Sequence, residues 1–256
     1  MYQILAYIKF LLKSTNQHGV HSPFVYDFIT KCLYDNTQYE AYSNIKAFRK
    51  QLLQSKDTLE IKDFGVGSKR MSANKRSVSK MVKNSSSSLK DTKLLFRISQ
   101  YFQFKYTLEL GTSLGVGTQA LSLGNASNKI ITIEGCPNTF QYSKNKFKVL
   151  ELSNISPINS DFKSAIKQLG KKTLDCIFFD GHHNREATLE YFNLLISKTH
   201  NDSVFIFDDI YWSKDMTQAW REIILDSRIT ASVDCFNLGF AFFRKEQPKQ
   251  HFTIRL

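Results

Sequence analysis

The twelve residues from Tyr106 to Gly117, Tyr-Thr-Leu-Glu-Leu-Gly-Thr-Ser-Leu-Gly-Val-Gly, constrain the fold more than any other stretch of the chain. They read as a short apolar strand that ends in an acid and breaks at once into glycines. The small residues from Thr118 to Leu123 continue as a helix. A strand, a Gly-rich turn and a helix in that order put backbone N–H groups and open space at a helix N-terminus, where nucleotides are cradled. The dinucleotide fingerprint needs glycines at its first, third and sixth positions. Counted from Gly111, this chain has Ser113 and Val116 at the last two, so a nicotinamide dinucleotide reading fails in detail.

Beyond the turn, strands and helices alternate regularly. Strands are predicted at Tyr106–Leu110, Lys129–Glu134, Ile155–Asn159, Thr173–Phe179 and Ser203–Phe207, with helices between them. Short, mostly apolar strands separated by helices imply a parallel sheet covered on both faces. After a helix at about Lys214–Asp226, the segments Ile229–Cys235 and Gly239–Arg244 form a final antiparallel pair. The fold class is therefore α/β, a Rossmann-like, mostly parallel sheet.

The first ninety residues read as a helical extension, and residues 91–256 as the α/β domain. Helices are predicted at Tyr2–Lys13, from Pro23 with Ser22 as N-cap, and at Tyr39–Leu53. His18 and His21, three residues apart in the turn before Ser22, could line a site, though pairs in helix-entry turns are more often structural. Between Asp57 and Leu89 the periodicity dissolves into a basic loop, a lid over a pocket or a disordered tract that ends in a loop or helix cap at Asn84–Ser88. Within it, Asp63-Phe-Gly65-Val-Gly67-Ser68 imitates a nucleotide loop without a strand before it or an apolar-periodic helix after it.

The pattern Glu109-x-Gly111-x-x-x-Gly115-x-Gly117 resembles motif I of the class I S-adenosylmethionine (SAM) methyltransferases, and five parallel strands with a terminal hairpin resemble their seven-stranded sheet. SAM carries a sulfonium cation and no pyrophosphate, so a carboxylate at the strand end makes chemical sense. The resemblance implies SAM as cofactor, held by Glu109, Gly111, Thr112, Ser113, Gly115 and Gly117. Glu134, at the end of the second strand, would accept the ribose hydroxyls, a role that nicotinamide enzymes share. A residue at the Ser160–Asp161 turn, after the third strand, would meet the adenine; a helix N-cap by Ser160 or Asp161 is the other reading, and the two can hold together.

The fourth strand ends Asp180-Gly-His182-His183 and the fifth ends Asp208-Asp209-Ile-Tyr211-Trp212. Three carboxylates at neighbouring strand ends would repel one another unless a cation compensates them, and oxygen ligands suit Mg²⁺, Mn²⁺ or Ca²⁺ better than zinc. Helix capping without metal is the alternative. The arrangement resembles the catechol and caffeoyl-CoA O-methyltransferases and a bacterial group related to them. That resemblance implies Asp180, Asp208 and Asp209 as metal ligands, although the family has Asn where Asp209 stands. It also places Asp180 against the cofactor and makes Asp180 and His183 the catalytic pair. A near-neutral imidazole at His183 could take a hydroxyl proton, and His182 could share or replace that role.

Composition limits the rest. With 42% apolar residues, 256 residues suffice for a packed interior. Cys32, Cys136, Cys176 and Cys235 are scattered, with no Cys-x-x-Cys pair, which suits reduced thiols in the cytoplasm. The first helix carries Lys9 and is too short to span a bilayer, so no transmembrane segment is expected. The net charge of +12 is local: residues 1–106 hold 18 Lys+Arg against 7 Asp+Glu, and the remainder 17 against 16. The expected function is O-methylation of a small hydroxylated acceptor, aromatic or catechol-like, with a homodimer left open. The rivals are an RNA or protein acceptor docked on the basic 62–105 segment, and a non-catalytic nucleotide-binding scaffold.

Overall fold

Residues 1–62 and 75–256 are described by the computed structural model. The imitation loop at Asp63–Ser68 lies outside the described residues. In chain order the elements are α1 (Tyr2–Lys13), α2 (Pro23–Phe28) running into a π turn (Ile29–Leu33), α3 (Ala41–Gln54), β1 (Thr58–Glu60), β2 (Lys75–Ser77), α4 (Val78–Ser85), α5 (Leu89–Phe102), β3 (Tyr106–Leu110), α6 (Val116–Gly124), β4 (Lys129–Glu134), α7 (Pro137–Val149), β5 (Ile155–Asn159), α8 (Phe162–Gln168), β6 (Cys176–Phe179), α9 (Arg185–Leu195), β7 (Val204–Asp208), α10 (Lys214–Leu225), β8 (Ala231–Asp234), β9 (Leu238–Phe242) and β10 (Gln250–Thr253). Eight of these strands make the mainly parallel sheet, and β1 and β2 form a separate antiparallel pair. The chain divides into two compact units, Met1–Tyr34 with Leu169–Leu256, and Asp35–Gln168.

In the unit Asp35–Gln168, β3 pairs in parallel with β4, and β4 with β5. Buried Leu108, Leu110, Ile130 and Ile133 on these strands make the sheet core. Helices α5 and α6 pack so closely that a Cβ on Gly124 would lie 2.4 Å from the Phe96 carbonyl oxygen. Ser88 caps α5, accepting from the Asp91 N–H at 3.2 Å and donating to its carboxylate at 2.6 Å, as the Asn84–Ser88 tract suggested.

One helix was not foreseen. Within the described part of the Asp57–Leu89 tract, Ser77 caps α4, and Val78, Met81 and Val82 bury its apolar face against Phe48, Leu52, Leu114 and Val116. Only three apolar anchors in eight residues carry that helix, so its periodicity is too brief to be legible. Burying each such side chain contributes about 1.5–3 kcal/mol, which tertiary packing supplies and propensity does not.

In the other unit, β6 and β7 are parallel, β9 runs antiparallel to both β7 and β8, and β10 lies parallel to β8. The edge strand β10 was not foreseen, because Gln-His-Phe-Thr has no apolar alternation. Its backbone ladder holds it, extended by a bridge between Thr15 and Ile254. The N-terminal helices pack within this unit. Phe28 of α2 meets Phe240 and Phe242 edge-on, and Phe10 of α1 meets Tyr211 and Phe236. All four cysteines are buried free thiols, and no helix among the described residues is long and apolar enough to cross a membrane.

Candidate functional site

The glycine turn lies in the unit Asp35–Gln168. Gly111, Ser113 and Gly115 all take positive φ, at 110°, 47° and 81°. Gly115 has no alternative, since a Cβ there would stand 2.5 Å from the Phe147 ring. The turn is pinned to β4 by the Gly111 and Thr112 N–H groups, which donate to the Ile133 carbonyl at 3.0 and 3.2 Å. Side chains reinforce this, with the Thr112 and Thr132 hydroxyls 2.6 Å apart. Helix α6 follows with Gly115 as N-cap, and Gly117 is buried in its first turn, where backbone N–H groups have no intrahelical acceptor.

Glu109 is 1% exposed, and one carboxylate oxygen accepts from both Thr118 and Thr132 at 2.5 Å. Burial pushes its carboxyl up to about 7, against those two donors, with the nearby Glu134 charge adding to the rise. Glu109, on β3, thus ties α6 to β4 through Thr118 and Thr132.

Glu134 also holds the turn. Its carboxylate accepts from the Ser113 N–H at 2.9 Å and from the Cys136 N–H at 2.8 Å. The side chain is only partly buried and so keeps an edge toward solvent. Asn159 ties the ends of β4 and β5, donating to the Glu134 and Gly135 carbonyls at 2.7 and 3.1 Å. Asp161 is exposed and accepts from the Ser164 N–H at 2.9 Å, which holds its carboxyl below the ordinary range. Of the two readings weighed for Asp161, helix capping is the one that this geometry displays. The Ser160 N–H donates to the Glu134 carbonyl at 3.2 Å.

Sequence reasoning missed one neighbour of Glu134. The Lys62 N–H donates to the Cys136 sulfur at 3.4 Å, and Asn138 donates to the Glu60 carbonyl at 2.8 Å. The β1 stem is thereby fastened beside the Glu134 turn. Only Pro137, a helix-start signal, marked that place in the sequence.

The second set of residues lies in the unit formed by residues 1–34 and 169–256. After β6 the backbone turns through His182 at φ 64° and His183 at φ 27°, and Asn184 caps α9 by accepting from the Ala187 N–H at 2.9 Å. The two imidazoles go to different partners. His182 Nδ1 lies 3.0 Å from the Tyr191 hydroxyl, whereas His183 Nε2 lies 3.8 Å from the Asp180 carboxylate. Burial lowers the His183 pKa from its ordinary 6.5, and the negative charge of Asp209 opposes that fall. At neutral pH His183 is therefore an uncharged base beside two acids.

Asp208 closes β7 and accepts from the Asp209 N–H at 3.0 Å, while Asp209 takes a left-handed φ of 55°. Among the described residues no group of three or more His, Cys, Asp or Glu side chains is arranged to hold a metal ion. As they stand, Asp180, Asp208 and Asp209 do not fit the three-carboxylate site implied by resemblance. One Asp208 oxygen is instead engaged by the Asp209 N–H.

A mainly parallel sheet with one antiparallel strand, and a glycine turn opening a helix after β3, make a Rossmann-like α/β fold. Residues 108–210, from within β3 to just past β7, match the family described as a methyltransferase domain. Both sets of candidate residues lie inside the matched stretch. No curated protein matches the chain.

Solved structures share the fold at low identity. The S-adenosylhomocysteine (SAH)-bound methyltransferase PaMTH1 of Podospora anserina is 14% identical with a TM-score of 0.60, covering 83% of this chain and 92% of its own. The O-methyltransferase TomG of Streptomyces achromogenes, involved in tomaymycin synthesis and solved with SAM, is 14% identical with a TM-score of 0.57, covering 81% and 91%. An O-methyltransferase of Bacillus cereus in complex with SAH is 14% identical with a TM-score of 0.56, covering 84% and 99%.

Proposed function

We propose that this protein is a methyltransferase that uses SAM to methylate a hydroxyl oxygen of a small molecule. The observation that carries the reading is the left-handed turn at Gly111–Gly115, held by the Glu134 carboxylate through the Ser113 N–H. Residues 106–124 include no Lys or Arg, so the turn offers no cationic side chain for a pyrophosphate and suits a cofactor that is itself a cation. Thr112, Ser113, Gly115 and Gly117 would line the cofactor, with Glu134 toward the ribose and Ser160 and Asp161 toward the base. Similarity to proteins solved with SAM or SAH supports the same cofactor.

SAM supplies an electrophilic methyl group on sulfur. Transfer to oxygen forms a C–O bond, breaks the C–S bond and releases the hydroxyl proton. His183, kept neutral by burial, is the residue suited to take that proton, and Asp180 and Asp209 suit it to carry the resulting charge. No step in this scheme passes through a metal ion. The aromatic or catechol-like character of the acceptor is the narrower part of the proposal, drawn from the resemblance to catechol and caffeoyl-CoA enzymes.

Isothermal titration with SAH tests the cofactor site. Glu134→Ala removes a carboxylate with two backbone donors, each charged hydrogen bond being worth about 1.5–3 kcal/mol, so SAH affinity should fall at least tenfold. Unchanged affinity would remove Glu134 from the site. Retention of RNA with steep salt dependence, in place of small-molecule turnover, would move the acceptor to the basic 62–105 segment.

A further inference from the structure

Helix α1 is apolar on both sides. Ala6 and Phe10, one turn apart, are buried against the protein, yet the opposite arc is also hydrophobic. Ile4 is 67% exposed, Leu5 54%, Ile8 49% and Leu12 82%. These four positions fall on one face at helical spacing, with exposed Tyr7 at its margin. A helix hydrophobic all round is normally covered on every side. Nine large hydrophobic residues are exposed among the described residues, and six of them lie between Met1 and Leu12. The unusual exposure therefore belongs to one helix.

We propose that the outward face of α1 is a docking surface for an anionic lipid membrane, on which the helix lies in the plane of the interface. Charge points to this occupant. The helix contains no Asp or Glu, and its exposed lysines, Lys9 and Lys13, stand one turn apart on the flank between the buried and outward faces. There their stems lie along the apolar body and their ammonium groups reach headgroup level, while Ile4, Ile8 and Leu12 enter the acyl boundary. A second copy of the chain fits less well. A stable two-fold interface needs about 800 Å² from each partner. A twelve-residue helix is only about 18 Å long, and the other exposed hydrophobics, Tyr26, Val149 and Leu225, are scattered along the chain.

The test is co-sedimentation of the full chain with vesicles of phosphatidylcholine alone or mixed with phosphatidylglycerol. Binding is expected to the mixed vesicles. The double substitution Lys9→Gln/Lys13→Gln should weaken it about 30-fold, near fivefold for each lysine at an anionic surface. Ile4→Ser/Ile8→Ser/Leu12→Ser should weaken it more than about 100-fold, with an unchanged thermal unfolding midpoint, because all three side chains face outward. A polarity-sensitive dye on Leu12→Cys should shift to the blue on adding mixed vesicles, and this single exposed replacement serves if the triple variant misfolds. Equal vesicle binding by the triple variant, no binding by the unmodified chain, or an unshifted dye despite binding would overturn the proposal. So would a dimer that dissociates in the triple variant without any vesicle binding, which would give the face to a second copy.

Discussion

Glu109 ought to make the stability of this protein fall as pH rises through neutrality. Its carboxyl is buried and titrates at about 7, against an ordinary 4.5. The folded chain therefore holds the Glu109 proton more tightly than the unfolded chain does, and folding takes up a proton between these values. For an acid raised in this way the cost of folding is absent below pH 4.5 and complete above pH 7. A difference of that size corresponds to about 3 kcal/mol, of which about 2.5 kcal/mol develops between pH 5 and pH 8.

The perturbation is Glu109→Gln. An amide oxygen can still accept from Thr118 and Thr132 but cannot ionise. Whatever the new amide N–H₂ costs in that buried place is independent of pH and cancels from the comparison. Urea unfolding of both proteins at pH 5, 6, 7 and 8 is the assay. Relative to the unsubstituted chain, the variant should gain about 2.5 kcal/mol over that range, a shift of about 1 M in the difference between midpoints for a protein of this size. Parallel stability curves would refute the reasoning, because they would mean that Glu109 ionises alike in the folded and unfolded chains.

His183→Asn should lower kcat by about 10²–10⁴-fold, the usual worth of a general base, while leaving SAH affinity intact; the same loss in binding would recast His183 as a cofactor residue. Because burial depresses the His183 pKa and a base acts when deprotonated, kcat/KM should rise with pH along a limb centred below 6.5. Asp209→Asn should move that limb lower still, since the carboxylate opposes the depression, and a limb fixed in place would separate the two groups. Chelation with EDTA should leave methyl transfer unchanged and Asp208→Ala should retain it. Activity lost to EDTA and restored by Mg²⁺ would instead assemble Asp180, Asp208 and Asp209 into a metal site. Gly115→Ala should destabilise by about 2–5 kcal/mol, adding about 1–2 for a left-handed alanine to about 1–3 for overlap with Phe147; Phe147→Leu in the same chain should recover the second part, measured by a double-mutant cycle.

The candidate site was legible where its chemistry is local. Gly111, Gly115 and the acid at Glu134 announced the turn because left-handed backbone and a carboxylate after the second strand leave marks at fixed spacing. Strands β3, β4 and β5 were placed at the residues that form them, since buried parallel strands are short apolar runs. His182 and His183 were legible as a pair but not in their division of labour, which depends on two left-handed residues aiming the rings at Tyr191 and Asp180.

Sequence alone determined the α/β class, the glycine turn and the residue types at the strand ends, because periodicity, glycine punctuation and spacing are properties of neighbours along the chain. Tertiary structure alone decided that Glu109 is buried against Thr118 and Thr132 and that Asp208 accepts from the Asp209 N–H. It also built α4 from three anchors that only packing reveals, set β10 at the sheet edge through backbone bonds indifferent to side chain, and left one apolar face of α1 uncovered. Burial, partner choice and exposure are set by residues distant in sequence, and on these depend whether a carboxyl is charged, a helix holds or a surface is free to bind.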